Sequence, residues 1–162
     1  MKSTRLDHVS VTVSNLERSV HFYHDLLGIA VLGTGEETGN AVASMSGDSA
    51  GSGFRYADLD LGQGQVLELL EYRTPPGRAG PPTVRTPGAG HFGILVPDLT
   101  ETLSELATHG ILPQGRPATL EEPSWWKGAR VVYLRDPDGA TVELVERPRP
   151  GKRDGAHPSD PR

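Results

Sequence analysis

Two histidines and two glutamates carry the chemistry that this sequence could perform. His8 and His91 each stand on a stretch that alternates polar and apolar residues. Glu68 lies between Leu67 and Leu69, and Glu143 between Val142 and Leu144. A carboxylate in the middle of an otherwise apolar strand is costly to bury unless it is paired or bound to a metal. Together the four would offer two imidazole nitrogens and two carboxylate groups, a set suited to divalent ions such as Zn, Ni, Co, Mn or Fe. Taken singly, each has a plainer explanation, as a hydrogen-bonded strand histidine or a solvent-facing carboxylate. The sequence has no cysteine, which excludes disulfides, thiolate nucleophiles and Cys-type zinc sites.

What groups the four is a repeat. Val9, Val11 and Val13 point one way and His8, Ser10 and Thr12 the other, which predicts a half-buried strand over Leu6–Val13. Ser14 and Asn15 follow as helix N-cap candidates, Ser14 with Glu17 in capping-box spacing. Leu16, Val20, Tyr23 and Leu27 fall at helical spacing before Gly28. Strands are then predicted at Ile29–Leu32, Phe54–Leu61 and Val66–Tyr72, the last two joined at Gly62-Gln63-Gly64. Residues 34–53 read as a long loop around a weak strand near Ala41–Met45. At Gly90-His91 the layout restarts. Asp98 and Glu101 form a second capping box, Leu99, Leu103 and Leu106 a helical stripe, and Gly110 its stop. A strand start at Ile111–Leu112, a loop over 113–129, a strand at Val131–Leu134 opened by Arg130, the Asp136-Pro137-Asp138-Gly139 turn and a strand at Thr141–Val145 complete the second half.

The offset between halves is 83 from His8 to His91 and 75 from Glu68 to Glu143. The first half therefore carries about eight extra residues, most simply in the 34–53 loop. The predicted organisation is a first module over 1–73, a Pro- and Gly-rich linker over 74–89, a second module over 90–147 and a disordered tail over 148–162. Glu71 is an odd step from Glu68, so strand parity sends the two to opposite faces, and Glu71 and Glu146 are expected to face solvent. Met45 and Phe54 are expected in the core.

With 162 residues, 35% hydrophobic and 23% charged, the chain suits one compact domain or two small modules sharing a core. The net charge of −5 gives no basic footprint for nucleic acid. No stretch approaches the ~20 apolar residues needed to cross a bilayer, and Met1–Asp7 has no apolar signal core. No membrane association and a cytoplasmic location are the expectations.

Leu6–Val13, Leu16-Glu17-Arg18-Ser19-Val20-His21-Phe22-Tyr23, Leu27-Gly28, Gly90-His91 and Tyr133-Leu134-Arg135-Asp136-Pro137-Asp138-Gly139 with Val142-Glu143-Leu144 resemble the vicinal oxygen chelate superfamily. That superfamily includes glyoxalases, extradiol dioxygenases and bleomycin- or fosfomycin-resistance proteins. The resemblance covers about residues 5–147. It implies an α+β fold of tandem βαβββ modules forming an incomplete barrel, with His8, Glu68, His91 and Glu143 as ligands of one divalent metal ion.

The full His/Glu/His/Glu set is closest to the glyoxalase I branch. That branch implies a lyase or isomerase that moves a proton between adjacent carbons of a small-molecule substrate through a metal-stabilised enediolate. Glu143 is the first choice of base, with Glu68 its symmetric counterpart. The alternatives are a methylmalonyl-CoA epimerase-like enzyme, a non-catalytic drug-sequestering protein and an extradiol dioxygenase. The dioxygenase signature wants a histidine a few residues before Tyr133, where this chain has Ser124, Trp125 and Trp126. Trp126, Lys127, Arg130 and Arg55 are the candidate substrate contacts, the cations as anchors for an anionic tail. Tyr72 and Arg73 carry poorer positional support. The resemblance allows the modules to pair within one chain or to swap between two, and a homodimer is the expected state.

Overall fold

The computed structural model describes residues 6–38, 53–73, 87–121 and 126–148. The chain divides into two compact units, Met1–Pro81 and Pro82–Arg162. The expected strand near Ala41–Met45, the core role of Met45, most of the linker, Trp125 and the tail from Arg149 lie outside the described residues. Among those described, no helix is long and apolar enough to cross a membrane.

Each unit is a βαβββ module, so the α+β tandem architecture predicted from the repeat is what forms. In the first, β1 (His8–Thr12) leads through α1 (Leu16–Val20) to β2 (Val31–Thr38), β3 (Gly53–Gly62) and β4 (Gln65–Tyr72). The sheet order is β1-β4-β3-β2, with β1 parallel to β4 and the other pairs antiparallel. In the second, β5 (His91–Leu95), α2 (Leu99–Thr108), β6 (Ala118–Thr119), β7 (Arg130–Arg135) and β8 (Thr141–Glu146) repeat the plan in the order β5-β8-β7-β6.

The two faces of each sheet differ in kind. One packs against the helix: Ala57, Leu59, Leu67 and Leu69 meet Leu16, Phe22 and Tyr23 in the first unit, all buried. In the second, Ile94, Val132, Leu134, Val142 and Leu144 are buried with Leu99 and Leu106 of α2. Burying side chains of this size supplies roughly 1.5–3 kcal/mol each, which makes the helix-side face of each sheet its core. The opposite face carries the alternate residues of every strand, and His8, Glu68, His91 and Glu143 belong to it.

Several local expectations change. The first N-cap is Asn15, whose side chain accepts from the Arg18 N–H at 2.8 Å. Ser14 instead accepts from the Arg18 guanidinium, and the Glu17 carboxylate pairs with Arg55. At the second helix Asp98 does cap, accepting from the Glu101 N–H at 2.9 Å. After Val20 the first helix widens into a π-helical turn, His21–Leu26, which rotates Phe22 and Tyr23 together into the core. The Ile29 N–H closes that turn on the Tyr23 carbonyl, so β2 begins at Val31 rather than Ile29 and runs on to Thr38. Thr34, Gly35, Glu36 and Glu37 belong to the stretch expected as a loop. Their strand rests on backbone pairing with β3, which a polar, exposed composition does not announce. Ile111–Leu112 form no strand, because the Ile111 N–H is used on the Leu106 carbonyl to finish α2. The next pairing segment is β6, inside the expected loop.

Candidate metal centre

In the first unit the β1–β4 register sets Ser10 beside Glu68, with His8 one step along the same face. His8 Nε2 lies 3.9 Å from Glu68 Oε2, and His8 Nδ1 lies 3.2 Å from Asp7 Oδ1. A carboxylate on one ring nitrogen orients an imidazole whose other nitrogen is a ligand, and Asp7 is in place to do so. Burial raises the Glu68 carboxyl above its usual value; the nearby His8 opposes this and Asp58 adds to it.

The second unit builds the same pair from equivalent positions. His91 Nε2 lies 3.6 Å from Glu143 Oε2, and only 13% of the Glu143 side chain is exposed. The neighbours differ. The position beside Glu143 on β5 is Gly93, and the position across on β7 is Tyr133. The His91 and Tyr133 rings meet edge to face with centroids 5.0 Å apart, which holds the imidazole by packing. Burial, and then the Glu143 charge, push the Tyr133 phenol up, so it keeps its proton at neutral pH.

The donors fit a divalent ion chemically and nearly so geometrically. Two ligands each about 2.1 Å from one ion stand roughly 3.0–3.4 Å apart, for angles between octahedral and tetrahedral. The observed 3.9 and 3.6 Å would have to close by about 0.2–0.9 Å, which small side-chain rotations supply. Each unit offers one such pair, and among the described residues no group of three or more His, Asp or Glu gathers about one point.

Two of the four candidate substrate contacts, Arg55 and Arg130, fall on the opposite face. Arg55 stands across from Glu71 on the helix-side face, where its guanidinium pairs with Glu71 at 3.2 Å and with Glu17 of α1. Arg130 occupies the matching place in the second unit. It donates to Glu146 at 2.8 Å and to the Thr100 hydroxyl at 3.0 Å. Glu146 also accepts from the Leu99 N–H at 3.0 Å, tying α2 to β8. Glu71 and Glu146 are therefore not solvent-facing; each is the carboxylate of a strut between sheet and helix, on the face that parity predicts. Trp126 is half-buried with Arg147 stacked 4.2 Å above its ring, and Lys127 is exposed. Phe54 is buried as expected, with Leu70, Tyr56 and Tyr72 packed around it. Arg73 pairs with Glu36.

Asp7, Ser10, Asp58 and Gly93 were not singled out from the sequence, and a signal for one of them was present. A hairpin pairs residues equidistant from its turn. Asp58 and Glu68 are equidistant from Gln63, as Tyr133 and Glu143 are from Asp138, so the two turn motifs name the cross-strand neighbour of each glutamate. Ser10 and Gly93 needed the parallel register, which no turn sets.

Tandem βαβββ modules, each showing a His–Glu pair on its helix-free face, make up an architecture of the glyoxalase type. A family model described as the Glyoxalase/Bleomycin resistance protein/Dioxygenase superfamily matches residues 5–144, and the chain belongs to that superfamily. Its relatives include a 2-epi-5-epi-valiolone epimerase of Actinomyces sp, 31% identical over 144 residues, covering 87% of this chain and 78% of that protein. A catechol-2,3-dioxygenase of Bacillus subtilis is 30% identical over 153 residues. That match covers 91% of this chain, which spans only 44% of the dioxygenase. A lactoylglutathione lyase of Haemophilus influenzae is 25% identical over 144 residues, covering 86% and 90%. Among solved structures, a glyoxalase family protein from Bacillus cereus superposes with a TM-score of 0.77 at 25% identity, covering 91% of this chain and 96% of that one.

Proposed function

We propose that this chain is a divalent-metal-dependent lyase or isomerase that moves a proton at a carbon next to an oxygenated carbon of a small molecule. His8, Glu68, His91 and Glu143 would hold a single ion, within one chain or across a homodimer. The observation that carries this reading is the duplicated pair, with Nε2 and Oε2 atoms 3.9 and 3.6 Å apart at equivalent positions of both units. When bound, the ion would stabilise negative charge developing on substrate oxygen.

The chain's own residues supply the rest. Glu143 is the proposed base: it is the more enclosed of the two carboxylates, and Gly93 beside it adds no side chain to compete for the space. Glu68 is its symmetric counterpart, and the abstracted proton would be given back to a substrate carbon by the carboxylic acid that holds it. Asp7 keeps His8 oriented, and Tyr133 keeps His91 oriented. Both glutamates are hydrogen-bond acceptors when ionised, which is the state a base needs.

An epimerase is the second reading, favoured by the 31% identity to an epimerase most of whose length is matched. Both readings share proton abstraction and differ in where the proton returns. Metal analysis of the purified full-length chain comes first: near-stoichiometric divalent metal, lost in His8→Ala or Glu143→Gln, supports the site. Deuterium exchange at a substrate carbon, tried across hemithioacetals, α-hydroxyketones and acyl-CoA esters, then separates isomerase from epimerase. Metal-free protein that binds an aromatic compound tightly, or oxygen uptake with catechols, would sink the proton-transfer reading.

A further inference from the structure

The residues beside Glu68 bear on the kind of molecule its site takes, an inference that rests on the reading above. The row crossing the first sheet at Glu68 runs from Gly33 on β2 through Asp58 on β3 and Glu68 on β4 to Ser10 on β1. The next row runs Gly35, Tyr56, Leu70 and Thr12. Both rows face away from α1. The first is rich in oxygen: a half-buried carboxylate and a hydroxyl flank Glu68 on either side. A Cβ placed on Gly33 would meet nothing within 4 Å, so the flank of Asp58 is open. At Gly35 the space is taken instead by the Tyr56 phenol, whose oxygen would lie 2.6 Å from such a Cβ.

Arginine and lysine are missing from this face among the described strand positions. No strand position on the Glu68 side of the first sheet is Lys or Arg. Arg55 is held on the opposite face by Glu17 and Glu71, and Arg73 is taken up by Glu36. In the second unit Arg135 shares the face of Glu143, but its guanidinium donates to the Gly139 carbonyl within the β7–β8 turn. A phosphate, a carboxylate-rich thiol conjugate or a nucleotide tail therefore finds no arginine or lysine at a described strand position beside Glu68. A hydroxyl does find a partner, because a carboxylate accepts the hydrogen bonds that substrate O–H groups donate.

We propose that the substrate is an uncharged, hydroxyl-bearing carbonyl compound of the α-hydroxyketone class, whose hydroxyls are read by Asp58 and Ser10 beside Glu68. Discrimination comes from both sides. A substrate lacking the hydroxyl leaves Asp58 desolvated without a donor, and an anionic one adds like charge beside it.

The test uses the full-length protein loaded with Co(II), whose visible band reports on ligands entering the metal's surroundings. Co(II) alone is titrated first, then dihydroxyacetone and dihydroxyacetone phosphate, in the second of which one of the two hydroxyls carries the anionic phosphate. The neutral ligand is expected to bind about tenfold tighter or better in the wild type. Asp58→Asn should remove most of that preference, and Ser10→Ala should weaken the neutral ligand while leaving the phosphate ester unchanged. Co(II) affinity should stay within about threefold in both variants. A phosphate ester that binds as tightly as the neutral ligand, or a ratio that Asp58→Asn leaves unmoved, overturns the substrate assignment while the metal site stands. Protein that takes up no Co(II) overturns the metal reading and this assignment with it.

Discussion

Removing Glu146 tests whether the arginines near the helices hold the fold or bind substrate. One carboxylate oxygen, Oε2, accepts both from the Leu99 N–H at 3.0 Å and from Arg130 at 2.8 Å. Leu99 is fully buried, so in Glu146→Ala its N–H is left without this acceptor at a helix start. An orphaned buried donor costs about 1–3 kcal/mol. Arg130 is 37% exposed, and water replaces most of what it loses, which adds about 0.5 kcal/mol. The sum is a destabilisation of about 1.5–3.5 kcal/mol, or roughly 3–14 °C in Tm for a chain of this size. Glu146→Gln keeps an acceptor for Leu99 and should cost about 1 kcal/mol, and Arg130→Met should cost about 1 kcal/mol or less. Urea unfolding followed by tryptophan fluorescence and far-UV circular dichroism measures all three at unchanged m. The ordering is the sharp part: Glu146→Ala worst, the other two mild. An Arg130→Met variant as unstable as Glu146→Ala, or a Glu146→Ala variant within about 0.5 kcal/mol of wild type, refutes the strut.

Three further outcomes follow from the geometry. His8→Ala should lower Zn(II) or Co(II) affinity more than tenfold, whereas Asp7→Asn, which touches only the far ring nitrogen, should cost about tenfold or less; calorimetric titration reads both. The Glu17 carboxyl is held below its usual value, first by its backbone hydrogen bond and then by Arg55. Its contribution to stability is present above the unfolded value near 4.5 and is lost as pH falls through the lower folded value, and Arg55→Met should move its NMR titration only part of the way back up. Gly139 has φ of +88°, so Gly139→Ala strains the β7–β8 turn by about 1–2 kcal/mol, seen as a lower Tm, while Ala140→Gly should cost less.

What the sequence made legible follows from which interactions are local. The His8/Glu68 and His91/Glu143 placements rest on strand parity and on a repeat, and both survive without knowledge of three-dimensional contacts. The Asp136-Pro137-Asp138-Gly139 turn was equally plain, because Asp136 itself accepts from the Asp138 and Ala140 N–H groups and needs no distant partner. Strand β2 beyond Leu32 was illegible for the opposite reason. Gly33, Gly35, Glu36 and Glu37 have turn and loop character, and what makes them a strand is the β3 backbone some twenty residues away. Arg55 and Arg130 show the same divide at the level of function. A lone arginine near a cleft motif reads as an anion anchor until its strand register is known, and the register turns it to the helix side. That correction changes the chemistry expected of the site, since it removes two of the cations that an acyl-CoA or thiol-conjugate tail would need, Arg55 and Arg130, and leaves Asp58 and Ser10 as the strand neighbours of Glu68.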